Sequence, residues 1–207
     1  MTRLLLVFAC VSLTACATID RPRPPASGDT RDWRVAATGH DRQRLRDWRT
    51  AFTRALDKAR AAGHANDIAQ EGALLDPDAA IGQVPIPNGN YKCRVIKLGA
   101  KTQGLLDYIA YPAFDCRIRS EDGLQGFAKL TGSQRPVGLI FPGDQLRQVF
   151  LGTLVLGDES RAMHYGSDPD RDVAGYVEKI GDNRWRMVLP YPAFESLTDV
   201  IELIPAS

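Results

Sequence analysis

Histidine is scarce in this chain, three in 207 residues, and the familiar catalytic strings are missing: there is no Gly-x-Ser-x-Gly elbow, phosphate loop, dinucleotide fingerprint or His-Glu-x-x-His pair. The common signatures of esterases, nucleotide enzymes and zinc proteases are therefore absent. Charge of one sign is lacking too. With 26 Lys plus Arg against 25 Asp plus Glu, the net charge is +1, so no global field draws the protein to nucleic acid, and no nucleic-acid partner is expected. Cysteine is limited to four residues, none in Cys-x-x-Cys spacing and none beside a histidine. That pattern supports neither a redox centre nor a metal centre, and no cofactor or metal is expected. No hydrophobic run is long enough to span a bilayer as a helix; the one at the N-terminus, Leu4 to Ala15, is too short.

What that run does provide is an export signal: Arg3, then the apolar stretch, then Leu13-Thr14-Ala15-Cys16. The last four residues resemble the lipobox of bacterial lipoproteins. Small side chains at Thr14 and Ala15 let an extended backbone enter the peptidase, and the Cys16 sulfur is the expected acceptor of a diacylglyceryl group. Its freed amino group then takes a further acyl chain such as palmitate, which meets the requirement of more than one chain for stable anchoring. Cys10 is rejected as an alternative because bulky Phe8 stands beside the cut. Residues 1–15 are thus read as the signal, residues 16–36 as a lipidated tether and residues 37–207 as one domain. Ala17, non-acidic after the cysteine, places the expected address at the periplasmic face of the outer membrane, with the membrane as partner through the anchor.

With Cys10 removed and Cys16 lipidated, Cys93 and Cys116 remain as a pair in an oxidising compartment, each at an inward phase of a predicted strand. A disulfide between them is expected to contribute roughly 3 kcal/mol through the loop it closes. Charge is also unevenly distributed. Asp20 to Gly63 carries 11 basic and 6 acidic residues and the chain from His64 onward 14 basic and 19 acidic, so the two segments have net charges of opposite sign.

Pro22, Pro24, Pro25 and Gly28 mark the tether. Beyond it, Leu45, Trp48, Phe52, Ala55, Leu56 and Ala59 recur at helical spacing, which predicts one amphipathic helix with Thr38 as N-cap, Asp41 as its capping partner and Gly63 as its end. A short second helix is expected over Asn66 to Leu75. From Tyr91 the period falls to two. Eight strands are predicted: Tyr91 to Leu98, Phe114 to Arg119, Gln125 to Thr131, Pro136 to Phe141, Leu146 to Leu156, Val173 to Ile180, Arg184 to Leu189 and Asp199 to Ile204. Turns such as Glu121-Asp122-Gly123 and Gly181-Asp182-Asn183 join neighbours without helical crossovers. The fold class is therefore mainly β, an antiparallel up-and-down barrel or sandwich of about eight strands preceded by an N-terminal amphipathic helix, with the up-and-down barrel preferred. Leu146 to Leu156 is apolar on both faces and is expected to lie under the helix. Tyr-Pro-Ala-Phe occurs twice, at 111–114 and 191–194, without repeating flanks.

Polar functional groups crowd only between Gly157 and Asp172, a loop of the length that often carries function. Asp158, Glu159 and His164 are the catalytic candidates there, with His164 or Asp158 as the general base that a hydrolase would pair with a metal. Asp168, Asp170, Arg171 and Asp172 are the ligand-binding candidates. The three aspartates alternate like the opening of a calcium loop, but Val173 stands where that loop needs glycine and Lys179 where it needs glutamate. Solvated Asp-Arg pairs and Asx turns account for the same residues. Trp185 shares its phase with Met187 and Leu189 and is read as core, with Arg184 and Arg186 pointing outward.

At Tyr91-Lys92-Cys93-Arg94-Val95-Ile96-Lys97-Leu98-Gly99, Phe150-Leu151-Gly152, Leu156-Gly157-Asp158-Glu159, Arg184-Trp185-Arg186-Met187-Val188-Leu189-Pro190 and Phe194-Glu195-Ser196 running to Asp199-Val200-Ile201-Glu202-Leu203, the chain resembles the bacterial domain-of-unknown-function family numbered 4893. The resemblance covers nearly everything after the tether and implies no reaction. Two function classes follow from the whole reading. The leading one is a non-enzymatic envelope lipoprotein whose β domain binds a small ligand or an envelope protein, as a binding, inhibitor or assembly-accessory domain. The rival is a hydrolase or metal-dependent enzyme built on the loop 157–172.

Overall fold

The computed structural model describes residues 31–82 and 84–206. The export signal, Cys16 and most of the tether lie outside them. Nine strands form one antiparallel sheet: β1 (Gly89–Ala100), β2 (Tyr108–Ala110), β3 (Phe114–Glu121), β4 (Leu124–Lys129), β5 (Gln134–Phe141), β6 (Arg147–Leu156), β7 (Asp172–Gly181), β8 (Arg184–Pro190) and β9 (Ser196–Pro205). Consecutive strands from β3 to β9 pair in order, and β1 pairs with both β3 and β9. The sheet therefore closes as an eight-stranded up-and-down barrel, with β2 as an extra piece. Closure leaves the eight barrel strands no free edges.

The extra piece has a local cause. On β1, Ile96 faces Ala110 and Cys93 faces Phe114, so two residues of β1 oppose Tyr111-Pro112-Ala113. One surplus residue and a proline without an N–H divide what is otherwise one strand into β2 and β3. The eight predicted strands are all present; β2 escapes prediction because three residues between the turn at Gly104 and Pro112 give no periodic signal.

Alternate positions point inward. Tyr91, Cys93, Ile118, Phe127, Ile140, Phe150, Val177, Trp185, Met187 and Leu203 belong to one buried cluster that fills the barrel. A Cβ on Gly152 would lie 2.6 Å from Phe150 Cζ and 2.3 Å from Val137 O. Only glycine lets the tightly coiled β5–β6 pair close around that ring. Cys93 and Cys116 form the expected disulfide, with their Cα atoms 5.9 Å apart. One end of the barrel is sealed by the segment before β1. Ile86 is fully buried in the interior cluster, Val84 O accepts from Trp185 Nε1 at 3.0 Å, and Pro87 O accepts from Tyr91 Oη at 2.7 Å.

Helices cover the outside. In place of the one helix expected over 38–63 there are two, α2 (Gly39–Arg46) and α3 (Trp48–Ala61), after a single turn α1 (Trp33–Ala36) and before α4 (Ala65–Glu71). Asp47 sits between α2 and α3 at φ −92 and ψ 6, a conformation that turns the chain from one barrel face to another. Leu45 of α2 packs on Val149, Leu151 and Ala174, which explains why β6 is apolar on both sides. Phe52, Ala55, Leu56 and Ala59 of α3 pack on Ile96, Leu98, Val188 and Val200. Thr38 caps α2 as expected, its Oγ1 accepting from Asp41 N at 3.0 Å. Asp41 does not answer as a capping partner, because its carboxylate is engaged by Arg44 and Tyr165. Trp33 packs against the same cluster as Leu45, so α1 belongs with the barrel although it falls in the stretch read as tether.

Candidate functional site

Two concavities bear on function. The larger, of about 720 Å³, lies on the outer face of the barrel. Its floor is made by outward positions of β4, β5 and β6: Ala128, Val137, Leu139, Leu151 and Thr153. One wall is the β3–β4 hairpin with Arg117, Arg119 and Glu121; the other is the segment Ala162 to Tyr165, and Arg31 and Ala36 also line it. Thr153 is 3 % exposed and its Oγ1 has no hydrogen-bond partner among the described residues. Arg119 Nε donates to Glu121 at 3.3 Å, whereas Arg117 is exposed on the rim.

The wall carrying His164 is part of the loop between β6 and β7, held at three points. Tyr165 Oη donates to the Asp41 carboxylate and accepts from Thr38 N at 3.1 Å; burial and that carboxylate push the phenol well above its ordinary range, so it stays protonated and donating. Asp172 accepts from Gly166 N at 2.9 Å, and its carbonyl accepts from Arg44 Nη2 at 2.7 Å. Glu159 takes two bonds from Arg171, at 2.7 and 2.9 Å, and one from Leu156 N at 2.9 Å. Arg171 first and that N–H second hold Glu159 down at about 2.

The loop candidates are therefore divided. His164 lines the groove, Glu159 is committed to Arg171, and Asp158 lies on the exposed turn that follows β6. Asp168 accepts from Asp170 N at 3.0 Å in an Asx turn, Asp170 is exposed, and Asp172 is buried against Gly166 and α2. No three His, Cys, Asp or Glu side chains gather in metal-holding geometry among the described residues.

The second concavity is the barrel's open end, a cavity of about 110 Å³. Lys97, Lys129 and Asp199 occupy inward positions there in place of apolar residues. Lys97 Nζ lies 3.0 Å from Glu195 and 3.2 Å from Asp199. Burial works against its charge, but these carboxylates outweigh burial and its pKa is raised. Asp199 is raised, burial outweighing Lys97 and Ser196. Lys129 Nζ donates to Thr131 O at 2.8 Å and Gln134 O at 2.9 Å and lies 3.6 Å from the centre of the Phe114 ring. Burial, then repulsion from Arg135 and Lys97, lowers it to about 8.

A family model described as "Domain of unknown function (DUF4893)" matches residues 33–203. The chain belongs to that family. No curated protein and no solved structure matches it significantly. The family resemblance read from the strand strings is thus met over nearly the whole folded region.

Sequence reasoning did not reach the polar residues at the open end of this DUF4893 barrel. Lys97 and Lys129 were hidden in strands whose alternation they continue: a lysine at an inward phase was the available signal. Both Tyr-Pro-Ala-Phe copies border this end. Tyr111, Phe114 and Phe194 all pack on the interior cluster, and the second copy begins at Tyr191 and is followed by Glu195, at φ 46 and 64. Non-glycine residues in that region are uncommon and cluster at functional sites.

Proposed function

We propose that this DUF4893 protein is a lipid-anchored envelope protein, tethered through Cys16 at the periplasmic face of the outer membrane, that binds an amphiphilic anion in its side groove. The observation that carries the binding reading is the Thr153 hydroxyl. A buried polar group left without a partner costs about 1–3 kcal/mol, and this one lies on the floor of a ligand-sized groove. A bound molecule that donates to or accepts from Thr153 removes that cost. Val137, Leu139 and Leu151 favour an apolar body, and Arg117 on the rim favours an acidic head. The volume falls in the range of about 300–1,000 Å³ occupied by small-molecule sites, which favours a small ligand over the inhibitor or assembly-accessory roles. The hydrolase alternative gains no support from a loop whose Glu159 is engaged by Arg171.

The test is fluorescence titration of the full chain with the anionic dye 8-anilinonaphthalene-1-sulfonate, followed by displacement with laurate. Ala128→Phe, which fills the groove from a half-exposed position, is expected to abolish binding while leaving the far-ultraviolet spectrum intact. Arg117→Ala is expected to weaken it about tenfold, as loss of a charged hydrogen bond does. Equal affinity in all variants would overturn the groove assignment. The anchor has its own test: Cys16→Ser releases the protein into the soluble envelope fraction, and continued membrane association of that variant defeats the anchoring reading.

A further inference from the structure

We propose that the open end of the barrel is a second, separate binding site, one that takes a short-chain carboxylate against the ammonium group of Lys129. Lys129 is 4 % exposed. Its partners are two backbone carbonyls and an aromatic ring, and no carboxylate forms an ion pair with it among the described residues. A buried cation held by neutral groups alone is an uncompensated charge.

The neighbouring charges determine where an anion goes. Lys97 also reaches the cavity and shares a residue with Lys129, since Gln134 Oε1 accepts from Lys97 at 2.9 Å while Gln134 O accepts from Lys129. Lys97, however, is already paired with Glu195 and Asp199. These two carboxylates repel an incoming anion from the Lys97 side and leave Lys129 as the open position. Arg135, from the same strand as Gln134, adds positive potential, although its own guanidinium is bound to the carbonyls of Gly132, Gly157 and Glu159.

The walls determine what kind of anion it is. Val95, Pro136, Leu154 and Ile201 line the cavity, so an oxyanion with polar oxygens on every side leaves some of them against hydrocarbon, unsatisfied. A carboxylate with a tail of a few carbons directs its oxygens to Lys129 and its tail to those walls. The cavity of about 110 Å³ has no room for a long chain.

Butyrate is the probe, added to the detergent-solubilised full chain, with chloride and inorganic phosphate at matched ionic strength as controls. Butyrate is expected to raise the melting temperature more than either control. At pH 8.5 its binding is expected to take up a proton, seen as a dependence of calorimetric enthalpy on buffer, because a carboxylate raises the pKa of an ammonium that is partly neutral at that pH. Lys129→Met is expected to weaken the response more than tenfold and to abolish proton uptake, while Lys92→Met on the exposed face leaves both unchanged. Leu154→Phe, which fills the cavity and keeps Lys129, is expected to abolish binding even if the Lys129 variant does not fold. Equal shifts with all three anions, no shift with butyrate, or an undiminished shift in Leu154→Phe would each overturn the proposal. None of these outcomes bears on the side groove, whose dye binding is read separately.

Discussion

Arg186 is the largest fully enclosed side chain among the described residues, and its surroundings show how a charge is held under an apolar helix. Its Nη1 donates to the carbonyls of Ala73, Leu74 and Asp76 at 3.0, 2.9 and 2.6 Å, and its Nε donates to Glu178 at 2.6 Å. Glu178 also accepts from Arg147 at 2.6 Å. Arg186→Met leaves Glu178 buried with one cation fewer and three carbonyls without their donor, and breaking such a pair costs about 3–5 kcal/mol. Urea denaturation is expected to show a loss of that size; a loss below 1 kcal/mol would mean that the carbonyls find other donors. Alternation identified Arg186 as outward from the barrel, which it is. What alternation cannot convey is that the outward face at this point lies beneath α3 and the turn Gly72–Leu74, because that depends on contacts between residues more than a hundred positions apart. Lys129 gives the opposite prediction. Its folded pKa of about 8 lies below the ordinary lysine value of 10.5, so between those values the unfolded chain binds a proton that the ligand-free folded chain does not. Stability therefore falls as pH drops from 10.5 to 8 and the penalty is constant below that. Lys129→Met is expected to be more stable than wild type at pH 7 by about 1–3 kcal/mol, a gain that disappears above pH 10.5. Chemical denaturation at pH 7, 9 and 11 tests both size and sign.

At the scale of elements, the loop between β6 and β7 is fixed to α2 more firmly than its composition suggests. Tyr165→Phe removes the donor to Asp41 and the acceptor for Thr38 N without emptying the space of the ring. The buried carboxylate then loses a partner, so a loss of about 1–3 kcal/mol is expected, together with faster hydrogen exchange over Ala162 to Arg171. Unchanged exchange there would show that Arg44 and Asp172 suffice to hold the loop. The Cys93–Cys116 bridge joins β1 to β3, beside the junction where β2 and β3 divide. Its replacement by two alanines is expected to cost about 3 kcal/mol through the 23-residue separation it spans. The pairing was legible in the sequence because both cysteines fell at inward phases of strands. The break at Asp47 was not, since the apolar stripe passes through it in register: Leu45 and Trp48 are three apart whether one helix or two carry them. Only the curvature of the barrel beneath requires the chain to turn there.

For the whole molecule, the question is whether the barrel or the barrel with its helices is the unit that folds. The opposite net charges of the N-terminal segment and the remainder do meet, in Arg49 with Asp78 at 2.7 Å and Lys58 with Asp107 at 3.3 Å. Such half-exposed pairs contribute little individually, so they guide the docking of α3 more than they hold it. The holding force is apolar. Phe52 and Leu56 cover Ile96, Leu98, Val188 and Val200, and Leu45 covers Val149 and Leu151, every one of them buried. Strands β1, β6, β8 and β9 thus carry hydrophobic residues on both faces, and a barrel without helices exposes a continuous apolar surface of the kind that aggregates. Phe52→Ala is expected to cost about 3–5 kcal/mol, the range for emptying a buried aromatic site, which is a large part of the stability of an ordinary domain. A chain beginning at Ala65 is expected to collect in aggregates, with β-rich far-ultraviolet dichroism but without the near-ultraviolet signal of an ordered Trp185. If that shortened chain were instead monomeric on size exclusion with the Trp185 signal intact, the barrel would be the autonomous unit. Helices α1 to α3 would then be a separable cover, and the outer β6–β7 loop that α2 anchors would be free to move with them.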